Sequence, residues 1–297
     1  MSERVPVLFG EVLFDCFDDG SRVMGGAPFN VAWHLQAFGC DPFFISRVGD
    51  DPLGQEICET MKGWGMTTAG LQIDAAHPTG EVKVHLVEGQ PGFDIVSDRA
   101  FDYIQGDTIP PISPSLIYHG SLGLRMPDSA FALEKLMRDH PAPVFLDVNL
   151  RPPWWKRDRL EAVLDKACWV KINDVELATL MDESGDIQGQ AARLLQGYGL
   201  DWVIVTQGEK GAFIMDRNGG FAETSPDETV PVVDTVGAGD AFASVCILGL
   251  LHDWPLALVV ERAQQFASLI VGLRGAVSND ISFYKPVIAQ WRLESNS

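Results

Sequence analysis

Short apolar runs rich in β-branched and aromatic residues alternate along this chain with segments long enough to be helices, and that alternation limits the fold more than any other feature. The runs are Val5 to Phe9, Pro42 to Ser46, Leu116 to His119, Val144 to Leu146, Trp169 to Ile172 and Trp202 to Val205. Strands separated by helix-length crossovers read as βαβ units on a mostly parallel sheet. The crossovers support this. In Pro127 to Asp139 the spacing predicts one apolar side carrying Phe131, Leu133, Leu136 and Met137, while Ala241 to Leu251 is apolar almost all round, as a buried central helix is.

Two stretches break the rhythm. Glu11 to Met24 and Thr79 to Tyr103 read as strands joined by turns, at Asp19-Gly20 and Glu88 to Gly92. They predict a small β-sheet flap, built approximately from residues 11–24 and 70–103. No linker or repeat divides the 297 residues, so one domain spanning 1–297 with an inserted flap is expected.

Forty-one acidic residues against 22 Lys plus Arg give a net charge of -19. That sign opposes nucleic acid phosphates and anionic membrane surfaces as partners. It also repels a polyphosphate substrate unless a local positive device is present. The five cysteines, Cys16, Cys40, Cys58, Cys168 and Cys246, contain no C-x-x-C pair, which argues against a disulfide framework or zinc ribbon. Residues 5–14 carry Glu11 and no basic leader, and no apolar stretch is long enough to span a bilayer. A cytoplasmic protein with reduced thiols is expected.

The local positive device is found in Asp234-Thr235-Val236-Gly237-Ala238-Gly239-Asp240, a glycine-rich turn opening directly into the apolar helix. Such a junction points unpaired N–H groups at one spot, and the helix dipole adds roughly half a positive charge. Asp240 repels a phosphate unless it has another task. Accepting a proton from an attacking hydroxyl supplies one, whereas simple helix capping is the competing reading. Walker A, the protein-kinase marks and a G-x-G-x-x-G after the first strand are all absent, the chain reading Phe9-Gly10-Glu11-Val12 there. The backbone amides must therefore replace a P-loop lysine, and a Rossmann-type oxidoreductase is disfavoured.

This turn resembles the C-terminal signature of the ribokinase/PfkB-type carbohydrate kinases, and Gly25-Gly26-Ala27-Pro28-Phe29-Asn30-Val31-Ala32 resembles their N-terminal one. The resemblance implies a ribokinase-like three-layer α/β/α sandwich with a mostly parallel central sheet and a small β-sheet lid. It implies an ATP-dependent sugar kinase in which Asp240 deprotonates a primary hydroxyl while the amides of Gly237, Ala238 and Gly239 hold the γ-phosphoryl. Asp15, Gly25, Gly26 and Asn30 are assigned to sugar recognition, with Gly25-Gly26 also the lid hinge. Taken alone, that pair is only a turn before a helix. Asn173 and Glu176 fit the family's N-x-x-E motif, on the water shell of magnesium and phosphate, although an Asn cap followed by first-turn acids explains the same residues. Thr206, Gly208 and Gly211 resemble the nucleotide loop, with a plain hairpin turn as the alternative. Asp234 matches the residue that helps hold a monovalent cation, making potassium an implied cofactor beside ATP and Mg2+.

Asp147-Val148-Asn149-Leu150-Arg151-Pro152-Pro153-Trp154-Trp155 and Gly10-Glu11-Val12-Leu13-Phe14-Asp15 resemble segments shared by fructokinases and 2-keto-3-deoxygluconate kinases. Arg151 suits a γ-phosphate or a substrate anion, and a surface salt bridge is its bland alternative. A keto-acid sugar needs a free cation, and the flap stretch 70–103 offers only Lys83 and Arg99. Fructose is therefore preferred over 2-keto-3-deoxygluconate, ribose or adenosine. A catalytically degenerate sugar or nucleotide sensor is the rival from a different class. The six histidines and eight tryptophans show no metal or stacking pattern. The strand edges of such a flap are expected to pair with those of a second copy, giving a homodimer through the lid.

Overall fold

The computed structural model describes residues 5–87, 90–181, 185–226 and 231–293. In chain order its elements are β1 (Val5–Phe9), β2 (Leu13–Phe17), β3 (Arg22–Gly25), α1 (Ala27–Ala37), β4 (Phe43–Gly49), α2 (Pro52–Gly63), β5 (Leu71–Asp74), β6 (Gly80–Val87) and β7 (Gln90–Ile95). Then follow β8 (Pro114–His119), α3 (Pro127–Asp139), β9 (Val144–Asp147), α4 (Arg157–Leu164), β10 (Trp169–Asn173), α5 (Asp174–Leu180), α6 (Ile187–Gly197), β11 (Trp202–Thr206), β12 (Ala212–Asp216), β13 (Phe221–Thr224), α7 (Ala238–Leu251), α8 (Leu256–Val271) and α9 (Ile281–Trp291).

A nine-stranded sheet has the order β13-β12-β11-β10-β9-β8-β1-β4-β5, parallel throughout except where β12 and β13 fold back as antiparallel strands. Alternation along each strand assigns its two faces to two helical layers. Leu8, Leu116, Tyr118, Phe145 and Ile204 pack with α1, α7 and α8. Their neighbours Val7, Phe9 and Ile117 pack against α3, and Leu146, Val203 and Val205 pack toward α4, α5 and α6. The result is the expected three-layer sandwich. Beyond its first turn the nearly all-apolar helix α7 lies within the first layer, where both its sheet side and its α1 and α8 sides are covered, so no polar face is needed.

The second sheet, of order β3-β2-β6-β7, is smaller than expected. Of the 70–103 stretch, only β6 and β7 enter it. Leu71–Asp74 instead pairs with β4 at the edge of the large sheet, because its register Ser46↔Leu71 to Gly49↔Asp74 extends that parallel array, and Ala100–Tyr103 forms a 3-10 turn. Of the turn expected at Glu88 to Gly92, residues 88 and 89 lie outside the described residues. One predicted core position also moves. Ser129, Ala132, Leu133 and Leu136 form the buried stripe of α3, and Phe131, off that stripe, is 61% exposed.

The chain leaves β1 outward to β4 and β5 on one side and returns to β8 on the other. This makes a topological switch point, and ligands of open α/β sheets bind beyond the carboxyl ends of strands at such a point. Glu11, Gly120, Asp147, Asn173 and Thr206 all fall at those ends.

Candidate active site

The glycine-rich turn becomes the N-terminus of α7, with Gly237 as N-cap at φ 80. A side chain at 237 would place Cβ 2.4 Å from Cα and Cβ of Ala276, so both the backbone conformation and the close approach require glycine. The first 4-residue helical bond of the turn is Ala241 N–H to Gly237 O at 2.8 Å. Helical geometry therefore leaves the Gly239 and Asp240 N–H groups directed out of the helix end, while the Ala238 N–H reaches Thr235 O at 3.4 Å. Asp240 sits in this first turn and its Oδ2 accepts from Nδ2 of Asn30, on α1, at 2.7 Å. Although Asp240 is half-buried as a residue, protein crowds its carboxyl. Burial pushes its pKa up to about 6, with the Asn30 bond, Lys171 and Arg151 opposing the rise and Asp147 adding to it.

Gly26, N-cap of α1, has φ 112, and a Cβ there would lie 2.6 Å from the carbonyl oxygen of Glu11. This packing brings the end of β3, an edge strand of the small sheet, against the segment that follows β1. Asp15 lies on β2, close to Gly25, its pKa raised to about 6 by burial against the opposing charge of Arg151. Arg151 itself is exposed, yet its charge reaches Asp15, Glu11 and Asp240. The structure thus joins Asn30 to Asp240, sets Asp15 beside Gly25, and places Arg151 within electrostatic reach of both carboxyls.

Asn173 and Thr206 end adjacent strands in register. Here the capping reading of the N-x-x-E motif is realised: Asn173 accepts from the Glu176 N–H at 2.8 Å, and Glu176 accepts from the Asn173 N–H at 3.0 Å. Glu176 also accepts from the Leu150 N–H at 2.7 Å, which ties the segment carrying Arg151 to α5. The hairpin alternative is realised as well, since Thr206 to Gly211 joins antiparallel β11 and β12 through a 3-10 turn, with Gly208 and Gly211 at positive φ. Asp234 accepts from the N–H groups of Val236 at 3.0 Å and Gly275 at 3.1 Å, linking the glycine-rich turn to the loop after α8.

Three groups here were not anticipated as site residues. Glu11 is 2% exposed and its Oε2 has no hydrogen-bond partner. Burial pushes its pKa up to about 7, its own backbone N–H and Arg151 opposing and Asp240 reinforcing the rise. The second and third are Asp147 and Lys171, a buried ion pair that stands beside the turn, the lysine engaged by both Asp147 oxygens. The available signal was a lysine inside Trp169-Val170-Lys171-Ile172, an otherwise apolar strand.

Glu11 leads to a stability prediction. Its folded pKa of about 7 lies above the ordinary glutamate value, so folding is penalised as pH rises from that ordinary value through 7, and the penalty is fully present at pH 8. Glu11→Gln is expected to be more stable than the parent by roughly 3 kcal/mol at pH 8 and by little at pH 5. Denaturant titrations at the two pH values check this, and equal stabilities at pH 8 would refute it.

The profile of the pfkB family carbohydrate kinases matches residues 16–282. The chain belongs to that family. PfkB carbohydrate kinases are phosphotransferases acting on sugar hydroxyls. A fructokinase from Klebsiella pneumoniae is 31% identical over 299 residues, covering 94% of this chain and 96% of that protein. An aminoimidazole riboside kinase from Salmonella typhimurium is 31% identical over 268 residues, covering 86% of this chain and 83% of that protein. Among solved structures, a Vibrio cholerae fructokinase double mutant with fructose, ADP and potassium ion bound superposes with a TM-score of 0.81 at 26% identity, covering 96% of this PfkB chain and 98% of that one.

Proposed function

We propose that this PfkB kinase phosphorylates fructose with ATP, Asp240 serving as the general base. The observation that carries the mechanism is the Asp240 carboxyl, hydrogen-bonded by Asn30, in the first turn of the helix whose N-terminal amides face the same space. A pKa near 6 suits that task, since the group is ionised at neutral pH yet basic enough to take a hydroxyl proton in the transition state. Asp15 and Asn30 hold sugar hydroxyls. The small sheet acts as a lid hinged at Gly25-Gly26 within a single domain, excluding water when it closes.

Of the two flap cations weighed for a keto-acid substrate, Lys83 is exposed, whereas Arg99 is engaged within the flap, and this favours a neutral sugar. Arg99 pairs with Glu81 at 3.0 Å. Arg125, 1% exposed, pairs with Asp102 at 2.6 Å and lies between the rings of Phe101 and Trp154. Arg151 is left for the anionic γ-phosphoryl, with the amides of Gly237, Ala238 and Gly239. Thr206, Gly208 and Gly211 line the approach of the nucleotide.

No cluster of three or more His, Cys, Asp or Glu among the described residues is placed to hold a metal, and both Glu176 oxygens already accept amide protons. This donor set fits a magnesium ion carried in on ATP phosphates, with Asn173 and Glu176 meeting its water shell, rather than a protein cage. When bound, the ion neutralises developing phosphate charge. Asp234, between the turn and Gly275, is the side chain for potassium. The lid edges offer a dimer surface. Five unpaired cysteines accord with the cytoplasm, and no helix among the described residues is long and apolar enough to cross a membrane.

An ADP-release panel of fructose, ribose, mannose, 2-keto-3-deoxygluconate, adenosine and aminoimidazole riboside tests this. Fructose is expected to give the highest kcat/KM, with activity increased by potassium. A preference of about tenfold or more for another acceptor, equivalent to 1.4 kcal/mol in transition-state binding, would overturn the fructose assignment.

A further inference from the structure

Along β10, Val170 and Ile172 point into the layer of α5 and α6, so Lys171 between them points the opposite way, toward α7. Its strand register sets it beside Asp147 on β9. The Lys171 Nζ donates to Asp147 Oδ1 at 3.0 Å and Oδ2 at 2.9 Å, and the two side chains are 8% and 2% exposed. Tyr118, on β8, donates its hydroxyl to Asp147 Oδ2 at 3.3 Å. Above the pair lies the first turn of α7. A Cβ built on Gly239 would come within 3.3 Å of Nζ, so the missing side chain lets the ammonium reach the helix backbone.

A cation is poorly placed at the positive end of a helix, and a buried ion pair is weak grounds for stability, since apolar replacements serve as well or better. Here the ammonium stands among three carboxyls. Burial works against its charge, but Asp147, Glu176 and Asp240 outweigh that and hold Lys171 above the usual lysine value. The groups facing Asp240 are Asn30 from α1, Glu11 after β1, Tyr118 from β8, Asp147 from β9, Arg151 after β9 and Lys171 from β10. Lys171 and Arg151 favour its ionised form, whereas Asp147 and Glu11 oppose it.

We propose that the buried Asp147–Lys171 pair is a positioning device for Asp240, its two opposed charges acting across Gly239 to set the basicity and placement of the carboxylate. The proposal rests on the kinase reading. Asp147 restrains the ammonium from bonding Asp240 itself, which would hold the base in a weakly basic state. Lys171 in turn keeps Asp240 ionised against burial and the neighbouring carboxyls.

The test is the pH profile of kcat/KM for the sugar in Asp147→Asn, in the double variant Asp147→Asn/Lys171→Met, and in Gly239→Ala. With the ammonium unopposed, Asp147→Asn is expected to move the acidic limb down by about one unit. Its plateau kcat should fall about tenfold as the base weakens, with sugar KM within about threefold of the parent. The double variant removes both charges and should return the limb to the parental position. In Gly239→Ala the methyl displaces the ammonium while the helix gains propensity, and the limb should move up. A limb unmoved in Asp147→Asn, or not restored in the double variant, would overturn the proposal, since a structural role alone changes rates without reversible limb shifts. If Asp147→Asn does not fold, an unmoved limb in Gly239→Ala overturns it alone. The parental protein separates the two readings: no ADP release from any sugar sinks the kinase reading, whereas parental activity with unmoved limbs sinks only this one.

Discussion

Replacing Asp240 with asparagine is expected to reduce kcat by about 10²- to 10⁴-fold while sugar affinity changes little, the range associated with losing a general base. The substitution is nearly isosteric. Its amide oxygen can still accept from Asn30 Nδ2, the 2.7 Å bond that fixes the side chain, so packing in the first turn of α7 is retained. What the amide cannot do is take the hydroxyl proton. In the parent, kcat/KM for the sugar should fall as pH drops through about 6, because the carboxyl whose pKa burial has raised becomes protonated. In the variant the part of that limb due to residue 240 should be lost along with most of the rate, leaving only what protonation of Asp15, whose pKa burial also raises to about 6, contributes through sugar binding. Steady-state kinetics between pH 5 and 9, with calorimetric sugar binding, decide the matter. Turnover within about threefold of the parent would remove Asp240 from the mechanism.

Gly237→Ala should damage the anion-binding turn itself. At φ 80 an alanine is strained by roughly 1–2 kcal/mol, and its methyl carbon would sit 2.4 Å from Ala276 Cα, an overlap with backbone that only movement of the turn can relieve. Stability is expected to fall by roughly 2–4 kcal/mol in total. Displaced amides no longer converge on the phosphoryl, so kcat should fall by about 10²-fold, as when a donor to developing charge is lost. Because Asp15 and Gly25 are held by the small sheet rather than by this turn, sugar binding should persist. Wild-type kcat at a temperature where the variant is fully folded would show that the turn's placement is unimportant.

These two residues differ in how they can be read. Gly237 belongs to a local pattern, a glycine at a turn entering an apolar helix, and the pattern carries its conformation. The motif also carried Asp240 to the same turn. The N-x-x-E residues show the limit of such reading. Their spacing is that of a capping box and of a metal-shell motif alike, and the structure shows Glu176 spending both oxygens on amide protons. The flap boundary was misplaced for a related reason: Leu71–Asp74 has the same local character as a lid strand, and only its pairing with β4 assigns it to the large sheet.

From its sequence alone this chain determined an α/β sandwich, the strands that build it and the glycine-rich turn at the head of its buried helix, because each rests on periodicities and backbone preferences confined to a few adjacent residues. Tertiary structure alone decided that Asn30 meets Asp240, that Lys171 stands against Asp147 beneath Gly239, and that Glu11 loses its water. Those contacts join residues far apart in the chain, through the register of neighbouring parallel strands and the seating of α1 and α7 on the sheet. A side chain's charge depends on what surrounds it, and no local pattern specifies that surrounding.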